Sequence, residues 1–193
     1  MAFVELVAEP RDDVTRELFD NDLAQRGYVP NYTRAFAHRP GVYRAWRNLV
    51  SEVAGNMDER RYELATFAAA RRLRSSYCTI AHGGVLADKY FTADEVAAIA
   101  RDPGSAELEP VDLAVMELAD KIAADATTVT REDIGRLRTH GLSDAEILDV
   151  VLAATVRCFF AKTLDALGVE PDDALGAGRP ELRAALAVAR PVA

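Results

Sequence analysis

Alanine fills 35 of the 193 positions while aromatic residues make up only 7%, and that imbalance bounds the fold more tightly than any single motif. Half of the chain is hydrophobic, so its apolar mass is carried mainly by small, helix-favouring side chains. Strand-like alternation is nearly absent. Helix starts are legible along the whole length: Asp12 or Asp13 before Val14, Asp58 before Glu59, Pro110 at a first turn, and two capping boxes, Thr92 with Glu95 and Ser143 with Glu146. These signals predict helices over 11–25, 31–37, 40–54, 58–73, 76–88, 93–101, 111–125, 131–139, 144–167 and 180–189. The expected fold class is therefore all-α, a helical bundle. No Gly/Ser linker, repeat or low-complexity tract divides the chain, so residues 1–193 are expected to form one domain. Within 144–167, Ile147, Val151, Ala154, Cys158 and Ala161 recur at steps of three and four, which predicts a buried central helix.

Charge and cysteine usage remove several classes of function. The formal net charge is −8 and the pI about 5.0, a balance that repels phosphate backbones. The one dense basic cluster, Arg71, Arg72 and Arg74, ends a predicted helix, where cations complement the helix dipole. No nucleic-acid partner is expected. No apolar run approaches the roughly 20 residues that a bilayer span needs, and residues 1–13 lack a basic segment followed by a long apolar one, so no membrane partner and a cytoplasmic setting are expected. Cys78 and Cys158 stand 80 positions apart, which does not resemble a disulfide framework.

The stretch that can carry chemistry runs from Ser75 to Gly83, at the centre of a motif region near 58–90. Cys78 and His82 are four residues apart and share one face of a helix. With Ser75 as N-cap, Cys78 falls in the first helical turn, where unpaired N–H groups favour a thiolate. Glu63 lies on the preceding helix, and two antiparallel helices would bring it to His82. A carboxylate orienting one imidazole nitrogen while the other serves a thiol is the arrangement of an activated nucleophile. The same residues also fit a plainer reading: a half-buried Cys at a helix start, a capping or surface His and a solvated Glu. Tyr77 is expected either to line a substrate pocket or hydrogen-bond a peroxide, or to pack as an ordinary aromatic, and Ser75 and Ser76 to cap the helix or donate to developing charge. Cys158, on the apolar stripe, reads as buried and inert. His38 and His140 sit at turn or C-cap positions. Glu63, Cys78 and His82 lack a fourth ligand at metal spacing, so neither a metal nor another cofactor is expected.

Glu63, Ser75-x-x-Cys78-x-x-x-His82, the segment Gly27-Tyr28-Val29-Pro30-Asn31 followed by His38-Arg39-Pro40, and the late segment from Gly141-Leu142-Ser143 to Leu164-Asp165-Ala166-Leu167-Gly168-Val169 together resemble the alkylhydroperoxidase D-like, carboxymuconolactone decarboxylase superfamily, and within it the peroxidase-related proteins. The resemblance implies an all-helical homo-oligomer (trimer, hexamer or dimer) and a peroxidase site built from a Glu, a Cys-x-x-Cys pair and a His, onto which Glu63, Cys78 and His82 map. Ser75 stands where the family has its first cysteine, so the two-thiol cycle is not available in this motif. The expected function is a thiol-dependent alkyl hydroperoxide reductase of the peroxiredoxin type, with one peroxidatic cysteine, Cys78, a Glu63–His82 proton relay, a hydroperoxide substrate and an external thiol reductant. The alternatives are a lyase acting on a small lactone acid, with the thiol unnecessary, and a non-catalytic redox-sensing oligomer.

Overall fold

The computed structural model describes residues 2–188. Its order is α1 (Asp13–Arg26), α2 (Asn31–Phe36), α3 (Pro40–Gly55), α4 (Glu59–Arg72), α5 (Ser76–Lys89), α6 (Ala93–Arg101), α7 (Pro110–Asp125), α8 (Arg131–Thr139), α9 (Asp144–Ala166) and α10 (Pro180–Leu186), with short 3-10 turns after α6 and α7. No strand occurs among the described residues, and the protein is an all-α bundle. No helix among them is long and apolar enough to cross a membrane.

The expected capping residues account for the observed starts. Asp12 accepts from the Thr15 N–H and Asp58 from the Arg61 N–H, and the boxes at Thr92/Glu95 and Ser143/Glu146 close in both directions. A third box, Thr130 with Asp133, opens α8. Helix α1 ends at Gly27, whose φ of 78° is the left-handed conformation that glycine tolerates best. The last helix stops at Leu186, short of the expected end at 189, which lies outside the described residues. The cause is a competing bond: the chain turns extended at Ala187, and the Val188 N–H donates to Ser76 Oγ at 3.1 Å.

Helix α4, rather than α9, is the most enclosed element. All nine residues from Tyr62 to Ala70 are buried, with Leu64, Ala65, Phe67, Ala69 and Ala70 fully inaccessible, as expected of a helix surrounded on every side. It packs against α5, α7 and α9, and Ala65, Ala68, Ala69 and Ala70 leave the room for those close approaches. The buried stripe of α9 is also displaced from the expected one. It runs through Ile147, Val150, Ala154, Arg157, Ala161 and Leu164, while Val151 and Cys158 sit at its partly covered edge. Cys158 is therefore half-buried rather than enclosed, and Arg157 takes the inner position.

A tight reversal joins α4 to α5. The Ser75 N–H reaches back to the Ala70 carbonyl at 3.0 Å and the Arg74 N–H to that of Arg71 at 2.9 Å, with Arg74 at φ 58°. The two helices thus run antiparallel, which sets the middle of α4 beside the middle of α5.

Candidate active site

The α4–α5 reversal brings Glu63 and His82 into direct contact: His82 Nδ1 lies 2.6 Å from Glu63 Oε2. The Thr66 hydroxyl, one turn on from Glu63, is 3.3 Å from the same ring nitrogen and donates into the carbonyls of Tyr62 and Glu63. An ionised carboxylate can only accept, so the proton between Glu63 and His82 belongs to Nδ1, and Nε2 is left as the basic nitrogen. Burial holds the His82 conjugate acid below its ordinary range and the Arg157 cation adds to this, while Glu63 acts in the opposite direction. His82 is accordingly a neutral imidazole at pH 7 with its tautomer set by Glu63.

Cys78 occupies the first turn of α5 and is only 1% exposed. Its hydrogen bond comes from a residue that sequence reasoning did not single out: Arg157 Nη1 donates to Cys78 Sγ at 3.7 Å. Arg157 is 5% exposed, and its guanidinium lies 5.6 Å from the centre of the Phe160 ring. No carboxylate among the described residues forms an ion pair with it, and Glu63 acts on it only through space. Burial pushes the Cys78 thiol above its ordinary value; the Arg157 charge and the Ser75 hydroxyl pull it back. Burial, the largest of these influences, favours the neutral thiol, as it favours the neutral imidazole at His82. No hydrogen bond joins Cys78 to His82; they meet through the cavity that both line.

Ser75 precedes α5 but does not cap it through its side chain. Its hydroxyl is fully buried and lies near the Cys78 thiol without a formed hydrogen bond, so its influence there is that of a nearby dipole. Ser76 Oγ accepts from Val188. Tyr77 lines the cavity, but its hydroxyl donates to Asp172 Oδ2 and is committed there; Asp172 Oδ1 accepts the Asn31 N–H at 2.8 Å. The phenol anchors the 169–178 loop and is not free for a peroxide. His38 bonds the Glu5 carbonyl and His140 caps α8; neither lines the cavity. Cys158 does not line it either. No group of three His, Cys, Asp or Glu side chains among the described residues is arranged to hold a metal ion.

The cavity measures about 550 Å³ and is bordered by α1, α3, α5 and α9 together with Tyr32 of α2, Tyr62 of α4 and the loop around Leu175. Cys78, His82 and Arg157 open onto it beside Trp46, Tyr62 and Phe160. The Cys78 thiol, the His82 ring and the Arg157 guanidinium thus border one cavity.

Residues 40–121, which include Glu63, Cys78 and His82 but not Arg157, match the model of the carboxymuconolactone decarboxylase family. No curated protein sequence matches the chain. Among solved structures, the fold is similar to an uncharacterized peroxidase-related protein with an alkylhydroperoxidase AhpD core from Ralstonia eutropha JMP134, with a TM-score of 0.77 and 20% identity over 97% of this chain and 100% of that one. It is also similar to an uncharacterized peroxidase-related protein from Silicibacter sp. TM1040, with a TM-score of 0.82 and 18% identity over 90% and 93% of the two chains. The debrominase Bmp8, solved with 2,3,4-tribromopyrrole, shares the fold at a TM-score of 0.76 and 12% identity over 93% and 97%. The sequence of residues 40–121 is thus similar to the carboxymuconolactone decarboxylase family, and the chain shares its all-helical fold with the peroxidase-related proteins of the alkylhydroperoxidase AhpD core.

Proposed function

We propose that the protein is a thiol-dependent hydroperoxide reductase with Cys78 as its single peroxidatic cysteine. The observation that carries this reading is a pair of half-completed ion pairs on one cavity: a thiol facing an uncompensated guanidinium at 3.7 Å and a neutral imidazole held by a carboxylate at 2.6 Å. Moving the thiol proton to His82 Nε2, directly or across the bound hydroperoxide, completes both pairs at once. The thiolate then faces Arg157, the imidazolium faces Glu63, and the buried charge sums to the same value before and after. A transfer that conserves net charge avoids the large cost of burying an unpaired ion.

The Cys78 thiolate attacks the distal oxygen of the hydroperoxide, the O–O bond breaks, and the imidazolium returns its proton to the departing alkoxide. Thiol and hydroperoxide become sulfenic acid and alcohol, with sulfur oxidised by two electrons and the peroxide reduced by two. Ser75 cannot condense with the sulfenic acid, so an external thiol does, giving a mixed disulfide and water; a second thiol equivalent then releases Cys78. Because Cys78 is 1% exposed and lines the cavity, the reductant that fits this geometry is a low-molecular-mass thiol rather than a dithiol protein.

The test compares wild type with Cys78→Ser in the consumption of cumene hydroperoxide under excess small thiol, with mass-spectrometric trapping of the sulfenic acid. The expected result is a Cys78-specific sulfenate and complete loss of turnover in the variant. Turnover that survives Cys78→Ser, or decarboxylation of a lactone acid that survives it, overturns this reading in favour of a lyase using Glu63 and His82 alone.

A further inference from the structure

The cavity is far larger than its proposed chemistry needs. Its volume of about 550 Å³ compares with roughly 30 Å³ for a water molecule in the liquid, so hydrogen peroxide alone would leave it almost empty. It falls instead in the range of pockets that enclose a small organic ligand.

Its lining is specific in two respects. Aromatic residues are scarce in this chain, yet five of the six tyrosines line this one cavity with Trp46, the single tryptophan, and Phe160. Trp46, Phe160, Tyr43, Tyr32 and Tyr77 form a continuous surface among them. Trp46 stacks on Phe160 at 4.2 Å between centroids and on Tyr43 at 5.9 Å, and Tyr32 meets Phe160 and Tyr77 edge-on at 5.5 and 5.7 Å. The charges are unequal. Of the four arginines in the lining, Arg26 faces Asp22 at 3.7 Å and Arg179 faces Asp88 at 2.7 Å. Both lining aspartates are thereby matched, while Arg47, seated over the Tyr43 ring at 5.8 Å, and Arg157 have no ion-pair partner among the described residues. Within a protein of net charge −8, this cavity is locally cationic and attracts anions.

We propose that the cavity binds an aromatic ring carrying an anionic group, with the ring against the Trp46–Phe160 surface and the anion toward Arg47. The substrate class is then the hydroperoxide of an aromatic acid. This assignment of substrate rests on the reductase reading above; the binding itself does not.

The binding is tested in Cys78→Ser protein, where no chemistry intervenes, by titrating benzoate, cyclohexanecarboxylate and benzyl alcohol while recording the fluorescence of Trp46. Benzoate is expected to saturate the signal and to bind about fivefold tighter than cyclohexanecarboxylate, the margin of an aromatic contact over an equal apolar one. It is expected to bind about threefold tighter than benzyl alcohol, the margin of a partly exposed charge pair, and Arg47→Gln is expected to erase that second margin while keeping the first. Equal affinity for benzoate and cyclohexanecarboxylate, or the absence of a saturable change by fluorescence and of heat by calorimetry, overturns the proposal. Benzoate binding without hydroperoxide turnover in wild type sinks the reductase and leaves the binding site standing. Turnover of hydrogen peroxide as efficient as that of an aromatic-acid hydroperoxide overturns the substrate assignment and leaves the reductase.

Discussion

Replacing Arg157 with methionine removes the only cation, among the described residues, in hydrogen-bonding reach of Cys78, while leaving a long, flexible apolar side chain in the space. With Nη1 at 3.7 Å from Sγ and an effective dielectric of about 20, Coulomb's law gives the guanidinium about 4 kcal/mol of preference for thiolate over thiol. At about 1.4 kcal/mol per decade, the thiolate population at a fixed pH below its titration falls about 1,000-fold in Arg157→Met. A more basic thiolate is also a better nucleophile, with a Brønsted slope of about 0.45, which restores about 20-fold. The expected net loss is therefore about 50-fold in the second-order rate of Cys78 alkylation near neutral pH, with Arg157→Lys retaining part of the rate. The assay is stopped-flow alkylation by iodoacetamide across a pH series in a Cys158→Ser background, so that one thiol reports. An alkylation pH profile in Arg157→Met that overlays wild type would refute the counter-ion argument. A parallel thermal melt separates this effect from unfolding, because exchanging a buried charge for an apolar side chain is neutral or stabilising as often as not.

Three further outcomes follow from the same geometry. Glu63→Gln keeps an acceptor for His82 Nδ1–H but removes the negative charge that stabilises the imidazolium, and is expected to slow hydroperoxide reduction about 100-fold, the usual contribution of a positioned acid–base pair, while iodoacetamide alkylation, which needs no proton donor, changes far less; equal losses in both would place Glu63 outside the relay. Because burial lowers the His82 pKa in the fold, the unfolded chain binds a proton that the native state refuses as pH falls below about 6.5, so stability rises with pH through that window; the urea midpoint is expected to drop between pH 7.5 and 5.5 by more in wild type than in His82→Gln, and parallel slopes would contradict it. Tyr77→Phe deletes the donor to buried Asp172 and is expected to cost about 1–3 kcal/mol, or about 3–10 °C in Tm for a chain of this size, with the alkylation rate of Cys78 unchanged; an unaltered melt would show that the phenol–carboxylate bond does not hold the 169–178 loop.

The legible part of this molecule is local and the illegible part is not. Caps and boxes such as Thr92/Glu95 and Ser143/Glu146 act over three residues, and a four-residue spacing puts Cys78 and His82 on one face, so helix ends and the core of the motif could be read directly. The contact between Glu63 and His82 spans a single reversal and followed from assuming that α4 and α5 are antiparallel. Arg157 lies 79 positions from Cys78 and Asp172 lies 95 from Tyr77, beyond the range of any spacing rule. Yet Arg157 left a trace. Ile147, Val150, Ala154, Ala161 and Leu164 define an apolar stripe with one charged member, at 157. The expected stripe shares Ile147, Ala154 and Ala161 with this one but takes Val151 and Cys158 where the fold buries Val150 and Arg157. Burying an arginine is so costly without compensation that an otherwise apolar helical stripe interrupted by a single guanidinium is better read as the mark of something that the charge must face. In this fold that position faces the Cys78 thiol at 3.7 Å; a rule that kept Arg157 on the stripe would have marked it as buried, though not named its partner.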